Sequence, residues 1–261
     1  METGNNVTLK HIYRATLGRN VYTEVPASQP SSWPAGTFVD RLAPSSRSDL
    51  FSLSAPYSVP TGTVVMRQGE PSTFVCVLRS TRPRTIACAK ITALLENGQE
   101  GLLGIRVSGD LIGELGVVRS APRSATVTTC APALVHSIGR DVFLNYLSQH
   151  IDAWRAISST IADRLDWANQ ARLEFAGHDV LTRVARVLAL LAERHGRPVP
   201  QGLDLGVPLS QEELGRLVGA RRDAVVKALH DLRRQNIITT SYRHTIITHL
   251  DNLHRHAQLT S

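Results

Sequence analysis

The segment Leu209–Asn236, LSQEELGRLVGARRDAVVKALHDLRRQN, constrains this chain more tightly than any other stretch. Ser210 is a good N-cap, and Glu213, three residues on, is its capping-box partner, so a helix begins just after Ser210. Leu214, Leu217 and Val218 make one apolar face. Gly219 follows where the chain has to reverse, a place where a left-handed φ is needed. A second helical period then points Val225, Leu229 and Leu232 inward and leaves Arg221, Arg222, Asp223 and Lys227 on the outer face. Two short helices around a glycine turn, the second with a charged outer face, form a helix-turn-helix pattern. Its second helix can enter a major groove and present side chains to base edges. Arg222 suits a bidentate contact with guanine, Asp223 can accept from cytosine, and Lys227 can reach a guanine or a phosphate. Arg221, Ser210 and Gln211 are placed to hold the phosphate backbone.

The rest of the chain agrees with a polyanionic partner. Its 261 residues carry a net charge of +7, although such a balance also suits ribosomal or membrane-surface proteins. From residue 179 onward there are 12 Arg and Lys against 8 Asp and Glu, a modest excess whose placement matters more than its size. No apolar run reaches the roughly 18 residues a spanning helix needs, so no membrane association is expected. The opening METGNNVTLKHIYRATLGRN lacks an apolar signal core, which points to the cytoplasm. Cys76, Cys88 and Cys130 are scattered, with no CxxC and no paired His nearby. They are expected as buried free thiols, and no metal site, iron–sulfur cluster or disulfide framework is expected.

The organisation shifts along the chain. Residues 1–34 end in the turn-rich PASQPSSWPAG and read as a flexible N-terminal arm. Over 35–140, short β-rich runs such as STFVCVL and TIACAKITALLENG are broken by Gly and Pro, the pattern of a small antiparallel barrel or sandwich. Over 141–177 the period turns helical. Ile151, Trp154, Ser158, Ile161, Leu165, Ala168, Arg172 and Phe175 recur by threes and fours, a narrow seam along which two copies could pair. Gly177 closes this helix, and Asp179 caps the next, DVLTRVARVLALLAERHG, making Gly177–Asp179 a candidate hinge. Over 178–261 the helix-turn-helix is followed by IITTSYR and TIITHL, a hairpin wing, so the C-terminal unit is a winged helix and the whole chain is α+β.

A second constellation is Gly113-Glu114-Leu115 with Pro122-Arg123-Ser124-Ala125 downstream. A turn opening a short helix favours an anion, Arg123 can add a charge-assisted fork, Ser124 a hydroxyl donor, and Glu114 suits a ribose hydroxyl. A plain hairpin with an Arg–Glu salt bridge would also explain these residues.

The order of β-roll, long helix and winged helix, with these motifs, resembles the CRP/FNR family of dimeric bacterial transcription regulators over about residues 35–256. YSVPTGTVVMRQGEPSTFVCVL is similar to the family's first β-roll strands, and SGDLIGELGVVRSAPRSATVTT to its phosphate-binding cassette. The resemblance implies a jelly-roll-like cyclic-nucleotide-binding domain and a dimerisation helix. It implies that Gly113, Glu114, Leu115, Arg123 and Ser124 hold the ribose and phosphate of a cyclic nucleotide such as cAMP. The positions that contact the base hold Ala168 and Asn169, of which only Asn169 can hydrogen-bond. On the recognition helix, Arg222, Asp223 and Lys227 match the base-reading positions, with Asp223 and Lys227 standing for the usual Glu and Arg. Arg82-Pro83-Arg84 stands where a tight glycine turn is usual. The implied partners are double-stranded DNA with two-fold half-sites, a second copy of the chain and RNA polymerase. The implied mechanism is a two-state switch that sets the two winged helices at the spacing of one DNA turn. No catalytic motif is evident, so no enzyme is expected. The alternatives are a ligand-independent regulator with a vestigial pocket and, more remotely, a cyclic-nucleotide-responsive subunit of an enzyme.

Overall fold

A computed structural model describes residues 33–82, 87–94, 98, 100–241 and 244–258, without the side chains of 171, 172, 174–176, 194 and 195. Most of the expected arm, Pro83 and Arg84 of the β-roll loop, Tyr242 and Arg243 of the wing, and the side chains of Arg172 and Phe175 lie outside the described residues.

The N-terminal unit opens with α1 (Pro44–Ser52) and builds eight strands, β1 (Tyr57–Val59), β2 (Val64–Met66), β3 (Phe74–Ser80), β4 (Cys88–Leu94), β5 (Glu100–Val107), β6 (Leu111–Ile112), β7 (Thr126–Thr129) and β8 (Ala133–Gly139). The short helix α2 (Glu114–Arg119) sits between β6 and β7. The strands form two antiparallel sheets, β1-β8-β3-β6 and β2-β7-β4-β5. The apolar run of β3 is continuous because both of its faces are covered. Cys76 and Leu78 meet the second sheet through Val127, Ile91 and Ala89, whereas Val75 and Val77 share a cluster with Phe38 of the N-terminal turns and with the helical Phe143 and Leu147. Trp33, assigned to the arm by its turn-rich surroundings, is instead 7% exposed and stacks on Phe51 at 5.4 Å.

The helical stretch expected over 141–177 is divided. Helix α3 (Arg140–Gln149) ends at His150, which takes φ −127° and ψ 92°, and α4 (Ile151–Gly177) begins after it. Tertiary hydrogen bonds hold this break. Asp152 accepts from Ala43 N at 2.9 Å and Ser46 Oγ at 2.8 Å, and His150 Nδ1 lies 3.1 Å from Ser46 Oγ. Helix α4 buries Ala153, Ala156, Ile157 and Thr160 against the β-roll.

The C-terminal unit contains α5 (Val180–His195), β9 (Arg197–Val199), β10 (Gly202–Asp204), α6 (Gln211–Val218), α7 (Arg222–Arg234), β11 (Ile238–Ser241), β12 (His244–Ile247) and α8 (Leu250–His256), with its strands in the order β11-β12-β10-β9. Asp179 caps α5 through Thr182 N at 2.8 Å, as its place after Gly177 predicts. The core of this unit, with Val184, Leu188, Leu217, Val225 and Leu232, also takes in Leu102 of β5, so the winged helix packs directly on the β-roll.

Pairing of β4 with β7 brings together two cysteines that the sequence leaves apart. The Sγ atoms of Cys88 and Cys130 are 2.7 Å from one another, so the cysteines are not scattered as expected. Cys76 stands apart, fully buried, its thiol pushed up to about 12 by burial.

Candidate functional site

After β6, Gly113 turns the chain with φ 86° into α2. A side chain there would be strained and would collide with Arg123 and Met66, so the glycine lets the backbone come up against a guanidinium. Glu114 and Arg123 are 4% and 5% exposed. Arg123 donates to Gly113 O at 3.0 Å and to Phe74 O at 2.5 Å, and its guanidinium lies 4.7 Å from the Phe74 ring centroid. The salt bridge of Glu114 is not with Arg123. Arg164, reaching across from α4, donates to the Glu114 carboxylate and, at 3.2 Å, to Leu111 O.

The structure brings five of the expected residues, Gly113, Glu114, Leu115, Arg123 and Ser124, to the lining of one cavity, floored by Met66, Ile91, Ile112 and Val127. Ser124 is exposed at its edge. Asn169 is not brought there: it lies exposed on α4, outside the lining. Arg164 and Arg106 also line the cavity, and the sequence reading missed both. Position alone could not reveal them, because β5 and α4 meet the cassette only in the fold. A cavity with a buried guanidinium, a serine hydroxyl and a buried carboxylate beside an apolar floor fits a phosphate joined to a sugar.

At the other end, the helix-turn-helix forms as its residues dictate. Ser210 Oγ accepts from Glu213 N at 3.2 Å, while Ser210 N donates to Glu213 Oε2 at 2.8 Å. Gly219 closes α6 in the left-handed region with φ 61°. Helix α7 buries Val225, Ala228, Leu229 and Leu232, which turns Arg222, Asp223 and Lys227, with Arg221 at the cap, to solvent. Ser210, Gln211 and Arg222 line one groove with Ser241 and His244 of the wing. Arg233 ties the helix to the wing through Thr240 Oγ1 at 2.8 Å.

Comparison with known proteins identifies both units. Residues 57–150 match the model of a cyclic nucleotide-binding domain, and residues 182–256 that of a Crp-like helix-turn-helix domain. The chain is 30% identical over 224 residues to the CRP-like cAMP-activated global transcriptional regulator of Mycobacterium tuberculosis, an alignment covering 86% of this chain and 97% of that protein. The chain belongs to the CRP/FNR family of transcription regulators. It is a DNA-binding regulator and not an enzyme. The cAMP-activated global transcriptional regulator Vfr of Pseudomonas aeruginosa is 30% identical over 155 residues, 57% of this chain and 72% of Vfr. Solved structures share the fold. FixK2 from Bradyrhizobium japonicum superposes with a TM-score of 0.65 at 18% identity over 80% of this chain and 99% of its own, and the c-di-GMP responsive regulator CLP of Xanthomonas campestris with 0.62 at 24% over 78% and 99%.

In this regulator the two units are joined by a polar contact as well as by Leu102. Lys90 Nζ of β4 donates to Glu213 Oε1 of α6 at 2.6 Å. Burial opposes ionisation of Glu213, but the hydrogen bonds from Lys90 and Ser210 prevail and hold its carboxyl below the ordinary range. The helix that starts the helix-turn-helix is thus capped and anchored to the β-roll by one carboxylate.

Proposed function

We propose that this regulator is a cytoplasmic homodimer that reads two-fold half-sites in double-stranded DNA under the control of a cyclic nucleotide, cAMP or a relative, in the β-roll cavity, and that it acts with RNA polymerase. The observation that carries the reading is the bonding of Glu114 to Arg164. The carboxylate suited to a ribose hydroxyl is held by the helix that leads to the DNA-binding unit. A bound nucleotide would supply a phosphate charge and a hydroxyl donor. Arg123 and Ser124 would hold the first and Glu114 the second, at Gly113 and Leu115. A ribose hydroxyl at Glu114 competes with Arg164, so occupancy and the setting of α4 are linked. Asn169, exposed on α4, is available to a nucleotide seated in a second copy.

Dimerisation rests on the outer stripe of α4. Ile151, Leu165 and Leu173 are 73%, 58% and 69% exposed in a single chain, while the opposite face is buried in the β-roll. Hinge motion at Gly177–Asp179 would then set both recognition helices, with Ser210, Gln211, Arg221, Arg222, Asp223 and Lys227 toward DNA. No helix among the described residues is long and apolar enough to cross a membrane.

A ligand-independent regulator is the second reading. It is favoured by the polar groups of the cavity already having partners, Glu114 with Arg164 and Arg123 with two carbonyls. Calorimetric titration with cyclic mono- and dinucleotides separates the two. Saturable binding is expected in the wild type and its abolition in Arg123→Leu with the fold intact by circular dichroism. Absence of heat with every nucleotide, in a protein that still binds DNA, establishes the ligand-independent reading. Equal binding by Arg123→Leu places the ligand elsewhere.

A further inference from the structure

Cys88 and Cys130 meet one step beyond the Ala89–Thr129 rung of the β4–β7 ladder. Cys130 N donates to Cys88 O at 2.8 Å, so they form a hydrogen-bonded antiparallel pair. Such pairs hold their Cα atoms about 5.5 Å apart, within the range of roughly 4.4–6.8 Å that disulfides use. Their sulfurs, 2.7 Å apart, have to approach only to about 2.05 Å to be bonded. Cys88 is fully buried, whereas Cys130 is partly exposed and gives a small oxidant access.

The pair also lies at the junction of the two units. Lys90 follows two residues after Cys88 on β4, on the same strand face, and binds Glu213 of α6. The charges of Lys90 and Arg197 of β9 both act on Cys88. The Cys130 hydrogen bond, with these two cations and against burial, holds the Cys88 thiol below its ordinary range, and the same contact, with burial, pushes Cys130 up. A thiol biased toward its thiolate beside one held protonated is the arrangement that reacts. Cys76, fully buried and without a cysteine partner, is not so placed.

We propose that Cys88 and Cys130 are an oxidisable dithiol site, converted by a peroxide-class oxidant into an intramolecular disulfide that alters the contact between the β-roll and the winged helix. One sulfur, as thiolate, attacks a peroxide oxygen. The O–O bond breaks, the sulfur becomes a sulfenic acid, and the departing oxygen takes the thiol proton to leave as water or alcohol. The second sulfur attacks the sulfenic sulfur, an S–S bond forms, the S–O bond breaks, and hydroxide leaves with the second proton as water. Two thiols and one hydrogen peroxide give one disulfide and two waters. Closure removes a sulfur able to carry negative charge opposite Lys90 and Arg197, so the pairing of Lys90 with Glu213 is rebalanced.

The test uses the reduced full-length protein, hydrogen peroxide and a duplex selected by that protein from a random pool. After oxidation the chain should be lighter by about 2 Da, with a Cys88–Cys130 linked peptide and an alkylatable Cys76. Affinity for the duplex should change by about threefold or more and return with dithiothreitol. Cys130→Ser should fold, bind the duplex and show neither effect. Cys88 and Cys130 both remaining as thiols, both ending as sulfinic acids, or linking between chains would each overturn the site. A linked protein with unchanged affinity would overturn its action at the junction.

Discussion

Arg222 and His136 show how far a single side chain can be reasoned from its surroundings. Arg222 is the first residue of α7, exposed, and borders the groove between helix and wing. Replacing it with alanine should cost about 1–3 kcal/mol on the preferred half-site and much less on random DNA, measured by competition gel shift. Equal loss on both sequences would make it a phosphate contact. His136 lies in the β-roll with Arg79 Nη1 3.0 Å from Nε2 and Ser54 O 2.9 Å from Nδ1. Arg79 can only donate, so Nδ1 carries the proton and the ring is neutral. Burial, then the Arg79 charge, lowers its pKa from 6.5 to about 4, against the Ser54 hydrogen bond. The unfolded chain therefore takes up this proton before the folded one does. Stability should be full above about pH 6.5 and fall as the pH drops towards about 4, and thermal melts across that window should show a shallower fall in His136→Gln. At this scale the sequence named Glu114, Arg123 and Ser124 correctly as neighbours. It missed Arg164, because the Glu114–Arg164 pair spans 50 residues and three elements.

Elements follow local rules where those rules are strong. The period of α6 and α7, the capping box and the left-handed Gly219 are all written in adjacent residues, and each formed as read. Ser210→Ala removes the cap from α6 and should cost about 1 kcal/mol in denaturant unfolding, with little change in the slope of the transition. The loss should be seen without any ligand or DNA present, which separates a cap from a phosphate contact. The break between α3 and α4 had no such signal: neither proline nor glycine stands at His150, and residues of α1 and its approach hold the turn through Asp152 and Ser46. Strand register was equally silent. Nothing in TIACAK or TVTTCAP says that Cys88 and Cys130 will be opposite one another, since pairing partners are chosen by the whole sheet.

For the whole molecule, the exposed stripe of α4 and the β4–α6 contact decide how a signal could travel. Leu165→Glu places a charge on the outer stripe without touching the β-roll core, so it should yield a folded monomer in light scattering and lose operator binding at concentrations where the wild type binds. A folded dimer in that variant would move the interface elsewhere. The sequence by itself determined the kinds of unit, their order, the two helices of the helix-turn-helix and the neighbourhood of Glu114, Arg123 and Ser124, because each depends on residues close together in the chain. Only the tertiary structure decided that Arg164 holds Glu114, that Lys90 anchors Glu213 and that two cysteines meet. Each of these joins groups from separate elements, whose meeting depends on how buried apolar faces pack and strands register, and no local pattern encodes that.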